Sequence, residues 1–156
     1  MIVGYFDGAW ESQYGDNGSM GMGAYIEEDG KEIFRIRYGL TVSELHPYTS
    51  VNIAEYLALM ELLKWQQQNK HIDLIRGDSE LVIRQANRQM KIRKGHYVSV
   101  ALACQKLIRP SNRFEWVRRH MNEKADMLSK EGLFLVATRK NSPRAPVAKY
   151  EQQKLF

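Results

Sequence analysis

The first third of the chain alternates short apolar blocks with turn residues. Residues 1–7 contain the β-rich run IVGYF, which predicts a buried strand that ends in a turn at Asp7-Gly8. Residues 11–23 are rich in Gly, Ser, Asn and Asp, and the segments AYIEE and KEIFRIRYGL follow on either side of Asp29-Gly30. Because Asp-Gly between two such segments is a strong hairpin signal, this region predicts three antiparallel strands.

The period of the apolar positions changes near residue 49. Ile53, Leu57 and Met60 recur at intervals of three or four, which predicts an amphipathic helix over residues 49–68. The elements expected after it are a strand IDLIRG, helices over residues 79–89 and 98–108, a strand RFEWV and a helix over residues 122–138. Short apolar strands between helices are typical of parallel pairing. We therefore predict an α/β fold with a five-stranded mixed sheet, three antiparallel strands followed by parallel ones, flanked by helices.

The chain of 156 residues, 44% of them hydrophobic, is long enough for one domain with a single core, which we place at residues 1–138. Residues 139–156 contain two prolines, few strongly apolar residues and no period. We predict that they form a flexible C-terminal tail.

The net charge and the cysteine content indicate which partners and which compartment to expect. The net charge of +5 favours a polyanionic partner, although basic proteins without one are common. The single cysteine, Cys104, excludes an intrachain disulfide and favours a reducing compartment. No apolar stretch approaches the ~20 residues that cross a bilayer. We therefore expect a cytoplasmic monomer that does not contact a membrane.

Carboxylates occur at the places where an α/β sheet binds its ligands. Asp7 and Asp78 follow predicted strands, Glu55 lies one turn into the first long helix, and Asp126 lies in the first turn of the last helix. Ligands of open α/β sheets bind beyond the carboxyl ends of the strands. We therefore expect these four side chains to converge.

Four carboxylates at short range raise one another's pKa unless cations neutralise them. Oxygen ligands suit Mg²⁺ or Mn²⁺, and two such ions ~3.5–4 Å apart hydrolyse phosphodiesters in many enzymes. Taken singly, each of these acids is more often a solvated surface charge or a partner of a helix end. The four together favour a site for two metal ions.

Five ordered blocks of sequence resemble the ribonuclease H family, type 1, over about residues 2–134. These blocks are YFDGA, NGSMGMGAYI, NIAEYLALMELL, RGDSELVIRQAN and EWVRRHMNEKADMLSKEG. The resemblance implies a ribonuclease H-like fold and an endonuclease that cuts the RNA strand of RNA–DNA hybrids to give 5′-phosphate products. It also implies that Asp7, Glu55, Asp78 and Asp126 hold two Mg²⁺ or Mn²⁺ ions. A role in removing primers or hybrids during DNA replication and repair, near the nucleoid, is the corresponding expectation.

We also predict which residues contact the hybrid. The expected nucleic-acid-binding residues are Gly8, Asn17, Ser50, Asn52, Ser79, Arg84, Arg88, Lys91, Arg93, Lys94, Arg119 and Asn122. The five from Arg84 to Lys94 form the expected phosphate-contacting surface, since such contacts position a duplex without reading its sequence; the alternative is an ordinary solvated helix face.

Three departures from the family pattern bear on activity. Val51 stands where the family commonly has the first of two amide residues, which leaves only Asn52 to read the minor groove. The basic protrusion of some members is reduced to KIRKGH. His120 occupies a slot that is usually acidic; it is a candidate for assisting catalysis as the loop histidine of longer members does, and otherwise is a solvent-facing loop residue.

Two other functions fit parts of the sequence. A related-fold 3′–5′ exonuclease needs an Asp-x-Glu pair on the first strand, whereas Asp7 is followed by Gly8-Ala9. A catalytically weak hybrid-binding module is expected to have lost one of the four acids, and all four are present.

The last five residues, QQKLF, resemble the short motif with which bacterial replication and repair proteins bind the DNA sliding clamp. Gln152, Leu155 and Phe156 match the motif, whereas Gln153 stands where Leu is more usual. Two apolar side chains at the end of a flexible tail can enter a groove at a small entropic cost. We therefore expect clamp binding through Gln152, Leu155 and Phe156.

Overall fold

The computed structural model describes residues 1–12, 18–43, 47–137 and 148–154. Six strands and four α-helices follow one another along these residues, with a single 3₁₀ turn at Arg119–Met121. The strands are β1 Ile2–Glu11, β2 Ser19–Glu28, β3 Lys31–Thr41, β4 Leu74–Gly77, β5 Arg113–Trp116 and β6 Ala148–Lys154. The helices are α1 Val51–Gln68, α2 Glu80–Ala86, α3 Val98–Leu107 and α4 Glu123–Ala137.

The strands form one mixed sheet in the order β5-β4-β1-β2-β3-β6. The first three strands are antiparallel neighbours, and β4 and β5 add to β1 in parallel. The turn between β2 and β3 lies at Asp29-Gly30, where both residues have positive φ. The predicted α/β class, the antiparallel strands and the parallel strands are confirmed in β1 to β5.

Helices cover both faces of the sheet and close the core. Helix α1 packs on β1 and β2 with α3 behind it, and α4 packs against β1, β2 and β3. The core between α1 and the sheet includes the fully buried side chains of Phe6, Leu59 and Leu62. No helix among the described residues has the length and apolar character needed to cross a membrane.

The predicted turn at Asp7-Gly8 is wrong, because β1 continues through both residues to Glu11. Gly8 serves a close approach between β1 and α1, since an added Cβ would lie 2.5 Å from the carbonyl carbon of Ala54. Gly23, on β2, has the same role against α4, where an added Cβ would lie 2.6 Å from Cβ of Leu128. The glycine-rich stretch before AYIEE is therefore partly strand, and Gly21 and Gly23 allow α4 to approach it closely.

The described part of the predicted C-terminal tail is a strand. Residues 148–154 form β6, which pairs antiparallel with β3 from Leu40↔Ala148 to Phe34↔Lys154 and makes a sixth strand. A strand at the edge of a sheet presents unpaired main-chain groups, and another extended segment of almost any composition can pair with them. The composition of these residues predicted a flexible segment, because side-chain composition does not reveal pairing between main-chain groups.

Candidate active site

Two of the predicted acids lie side by side because their strands are paired in register. Phe6 of β1 and Gly77 of β4 are direct partners in parallel strands, and Asp7 and Asp78 are the residues that follow them. Glu55, on the second turn of α1, faces the same place. One carboxylate oxygen from each of these three residues lies within 4.8 Å of the other two. The structure therefore brings Asp7, Glu55 and Asp78 together as the sequence predicts.

The fourth acid, Asp126, lies in the first turn of α4 at the side of this group. It is half-buried, and its Oδ2 accepts an ion pair from Nζ of Lys130 at 2.9 Å. It is not one of the three residues whose oxygens lie within 4.8 Å of one another. Asp126 is thus placed next to the three acids but is engaged by a cation of its own helix.

Burial makes the three acids difficult to ionise. Asp7 is 4% exposed and Glu55 is 6% exposed. Burial is the main cause that raises the pKa of Asp7 to about 8, and the charge of Asp78 adds to it. Burial likewise raises the pKa of Glu55 well above its usual range, followed by the charges of Asp7 and Asp78. The pKa of Asp78 is raised by burial too, although a hydrogen bond from Asn122 and the charge of Arg119 oppose this.

Several oxygens at this place lack a partner. Within the part of the chain that the structure describes, the buried atoms Glu55 Oε2, Asp78 Oδ2 and Asn122 Oδ1 accept no hydrogen bond. A buried oxygen without a donor is costly, and buried carboxylates are normally paired or bound to metal. A divalent cation supplies the missing partner, and a set made only of oxygens suits a hard cation such as Mg²⁺ or Mn²⁺. These residues therefore fit a metal site.

Neighbouring side chains hold the ends of β1 and β4 in place. Asn122 is fully buried, and its Nδ2 donates to the carbonyl oxygen of Phe6 at 3.0 Å. Trp116 Nε1 donates to the carbonyl oxygen of Asp78 at 3.1 Å. Gly8 and Asn122 are both buried, and their contacts with nucleic acid stay a prediction. Asn122 supports the site from within.

The 3₁₀ turn ahead of α4 carries the other predicted residues of the site. Arg119 is exposed. Its positive charge lowers the pKa of Glu55 and of Asp78, which opposes the rise caused by burial. His120 is exposed on the same turn, and its role stays a prediction. Lys130, which pairs with Asp126, is absent from the sequence prediction, although the i,i+4 spacing of the two residues on one helix is a signal for it.

Two predicted contact residues have a local structural role. Ser50 caps α1 by accepting a hydrogen bond from the N–H of Ile53 at 3.1 Å, and Ser79 caps α2 through the N–H of Val82 at 3.3 Å. Asn52 is half-buried on the first turn of α1. Asn17 lies outside the described residues.

Two part-buried hydrogen bonds from Gln85 hold the main chain beneath the predicted basic surface. Gln85 Nε2 donates to the carbonyl oxygen of Lys91 and to the hydroxyl of Tyr97, both at 3.1 Å. All five basic side chains of this region are exposed: Arg84, Arg88, Lys91, Arg93 and Lys94. Arg84 also forms an ion pair with Glu80 at 2.8 Å. The exposure of these side chains is consistent with phosphate contacts and also with a solvated face.

Comparison with known proteins identifies the family. The model of the Reverse transcriptase-like family matches residues 6–132. The chain belongs to this family. The matched region contains Asp7, Glu55, Asp78 and Asp126, and the resemblance to the ribonuclease H family is confirmed.

Solved structures of type 1 ribonucleases H share the fold. LC11-RNase H1, isolated from compost by a metagenomic approach, is 25% identical over 85% of this chain and 95% of that one, with a TM-score of 0.70. The same protein in complex with an RNA/DNA hybrid is 27% identical over 86% and 97%, with a TM-score of 0.66. RNase H1 from the archaeon Halobacterium salinarum is 27% identical over 85% and 97%, with a TM-score of 0.62. The predicted fold is confirmed by these likenesses, and a nuclease related to ribonuclease H is supported.

Proposed function

We propose that this protein is a ribonuclease H that hydrolyses the RNA strand of RNA–DNA hybrids. The observation that carries the proposal is the convergence of carboxylate oxygens of Asp7, Glu55 and Asp78 within 4.8 Å at the ends of paired parallel strands. The structure of LC11-RNase H1 with an RNA/DNA hybrid supports the same substrate for this chain.

Asp7, Glu55 and Asp78 are the residues that would hold the cations, with Asp126 beside them as a further ligand once it is released from Lys130. Two bound Mg²⁺ or Mn²⁺ ions would supply an activated water and charge stabilisation at the leaving oxygen of the phosphodiester. Asn122 and Trp116 hold the main chain of Phe6 and Asp78, so that the carboxylates keep their spacing. Arg119 lies where its charge acts on Glu55 and Asp78, and His120 adjoins it as a candidate proton carrier.

The test is cleavage of a uniformly labelled RNA strand, alone and annealed to DNA, with Mg²⁺, with Mn²⁺ and with EDTA. We expect metal-dependent cleavage of the annealed strand only, with 5′-phosphate ends. Asp78→Asn should lower turnover at least 100-fold while the protein stays folded, because the amide removes a ligand charge. Glu80→Gln is the matched control, since Glu80 is an exposed carboxylate two residues away that pairs with Arg84.

Each contrary result would contradict one part of the proposal or favour another function. Near-normal turnover of Asp78→Asn would refute the site, and equal activity in EDTA would refute the metal. Tight hybrid binding without any cleavage would indicate a binding module, and stepwise removal of 3′ nucleotides would indicate an exonuclease.

We also propose that the enzyme acts on primers or other hybrids during DNA replication and repair, held there by the sliding clamp. Gln152 lies in β6, while Leu155 and Phe156 lie outside the described residues. Deleting residues 152–156 should abolish binding to a bacterial clamp and leave hybrid cleavage by the isolated enzyme unchanged. The proposal fails if the full chain shows no clamp binding at micromolar concentrations or if the shortened chain binds equally well.

A further inference from the structure

One residue from each of five neighbouring strands lies in a single line across the sheet. Direct pairing joins these residues from β5 to β3 in the order Glu115, Arg76, Tyr5, Tyr25 and Arg35. Because the side chains of directly paired residues lie on the same face of a sheet, the five form one continuous row, which we call the cross-strand row. Two of its members, Tyr5 and Arg76, each precede a carboxylate of the site by two residues, so alternation along the strand places them on the face of that carboxylate.

Arg76 and Tyr5 join the strands of this row through direct side-chain contacts. Arg76 Nη1 donates to the hydroxyl oxygen of Tyr5 at 3.0 Å, and Arg76 Nε donates to Oε1 of Glu115 at 2.9 Å. The guanidinium carbon of Arg76 also lies 5.8 Å from the centroid of the Tyr5 ring, and that ring stacks on Tyr25 with an interplanar angle of 8°. Arg76 therefore connects β4 with both of its neighbours, β5 and β1.

The opposite face of β1 and β4 is held by packing of Phe6 on Gly77, the last paired residues of these two strands. A Cβ added to Gly77 would lie 2.7 Å from Cε1 of Phe6, so the ring lies directly against the main chain of β4. Asp7 and Asp78 follow this pair, and a carboxylate oxygen of each lies within 4.8 Å of the other. Two ionised carboxylates at this distance repel each other. A contact that holds β4 against β1 on the carboxylate face therefore opposes their separation.

We propose that Arg76 and Tyr5 are positioning residues whose hydrogen bond holds β4 against β1 and thereby sets the spacing of the carboxylates of Asp7 and Asp78 for divalent cations. The inference rests on the proposed function. Arg76 is positively charged and has no acceptor atom, so it cannot bind a cation itself and acts through the two strands. Loss of its positive charge alone would favour a cation at the site, whereas loss of its positioning contact disfavours one. The direction of the change in cation affinity when Arg76 is replaced therefore distinguishes the two effects.

Titration of the full chain with Mn²⁺ in the absence of nucleic acid, followed by isothermal titration calorimetry, tests the positioning role. We expect Arg76→Met to weaken Mn²⁺ binding about 10-fold, which is the lower end of the effect of residues that orient metal ligands. Tyr5→Phe removes only the acceptor and keeps the stacked ring, so it should weaken Mn²⁺ binding about 3-fold. The double variant should bind Mn²⁺ no more weakly than Arg76→Met, because both replacements remove the same hydrogen bond.

Arg35 provides the matched control at the β3 end of the cross-strand row. Its side chain is 31% exposed, compared with 33% for Arg76, and it forms an ion pair with Glu32 of its own strand. Strand β2 separates β3 from β1, so Arg35 does not join the two strands that carry the acids. Arg35→Met removes the same charge from the same face of the sheet and should change the affinity for Mn²⁺ by less than about 2-fold.

Cleavage of the hybrid provides a second measurement. In Arg76→Met and Tyr5→Phe, the Mn²⁺ concentration that gives half-maximal cleavage should rise by the same factors, KM for the hybrid should stay unchanged, and cleavage should recover at saturating Mn²⁺. If Arg76 instead contacts a phosphate, KM for the hybrid rises and the affinity for Mn²⁺ without nucleic acid does not fall. If its role is structural only, the melting temperature falls while the folded protein binds Mn²⁺ as before. Either result overturns the positioning role.

The outcomes separate this inference from the proposed function. If the native protein binds Mn²⁺ and cuts no hybrid, the proposed function is wrong, and the Mn²⁺ titration still decides the positioning role. If the native protein cuts hybrids and Arg76→Met binds Mn²⁺ as tightly as the native protein or more tightly, the positioning role is wrong. Circular dichroism melting shows whether each variant is folded at the assay temperature. If Arg76→Met does not fold, Tyr5→Phe decides the question, because it changes a single hydroxyl group.

Discussion

Replacement of Asp7 by Asn should stabilise the metal-free protein. Asp7 is buried, and its pKa is raised from 3.8 to about 8, first by burial and then by the charge of Asp78. Between pH 4 and pH 8, Asp7 is therefore protonated in the folded state and ionised in the unfolded state. Stability contributed by this group is complete at low pH and is lost as pH rises through that window.

The size of the effect follows from the pKa. One pKa unit corresponds to about 1.4 kcal/mol, so three units between the unfolded pKa and neutral pH give an upper bound of about 4 kcal/mol. Because neighbouring carboxyls share the proton, we expect about half of this, or about 2 kcal/mol. Asn at position 7 keeps an oxygen that can accept the 2.9 Å hydrogen bond from the N–H of Gly8. For a domain of this size, about 2 kcal/mol raises the melting temperature by about 4–8 °C.

The assay is thermal denaturation followed by circular dichroism in EDTA at pH 5 and pH 8, and again with Mn²⁺. In EDTA, the melting temperature of the native protein should fall relative to that of Asp7→Asn as pH rises. Mn²⁺ should reverse the order, because a ligand that binds only the folded state stabilises it. Glu80→Gln, an exposed replacement of the same kind, should change the melting temperature by less than about 2 °C. A lower melting temperature for Asp7→Asn in EDTA at pH 8 would refute the reasoning.

Two further predictions concern packing, the first at the end of β4 away from Asp78 and the second between β2 and α4. Asn112→Ala removes the 2.6 Å and 3.1 Å hydrogen bonds that Asn112 exchanges with buried Gln66. Unfolding in urea should show that the free energy of unfolding falls by about 3 kcal/mol, whereas the folded protein keeps its turnover. Gly23→Ala forces β2 away from α4, so it should lower both the melting temperature and hybrid cleavage, since α4 carries Asp126. Gly30→Ala, at a turn with φ +82° and no atom within 4 Å of the added Cβ, should cost only about 1 kcal/mol and no activity; equal loss of activity in both variants would contradict this account.

Local patterns were sufficient to predict most of the fold. The change of apolar period near residue 49 marks α1, and Asp29-Gly30 marks the hairpin, because both signals involve residues that are close in sequence. The convergence of Asp7 and Asp78 followed from the rule that parallel strands end at one edge, and the register Phe6↔Gly77 bears out that placement.

The sequence could not predict features that depend on distant packing. Gly8 resembles a turn residue, and only the position of α1 shows that it is needed for close approach. Asn122 resembles a surface residue near a basic segment, whereas its bond to Phe6 spans 116 positions. The pairing of β6 with β3 uses main-chain groups, which side-chain composition does not reveal.

The acids of the site repel one another, and other side chains hold the surrounding strands together. Tyr5 and Arg76 each stand two residues before an acid, so alternation along the strands places them on the same face as Asp7 and Asp78. Arg76 donates to the Tyr5 hydroxyl at 3.0 Å, and Tyr5 stacks on Tyr25 with centroids 4.6 Å apart. This row ties β4, β1 and β2 together directly below the carboxylates.

Helix α4 is attached to the same row. Lys124, two residues before Asp126, lies with its Nζ 4.7 Å from the centroid of the Tyr25 ring and forms an ion pair with Glu32 of β3. Asp126 is thereby held at the edge of the sheet by contacts that do not involve a carboxylate of the site. These contacts are complete without a cation. The repulsion among the acids therefore raises their pKa values and lowers the stability of the fold, and it does not displace α4. Binding of a cation then needs to release protons, not to rebuild the fold, which is why we expect metal and pH to act on stability in opposite directions.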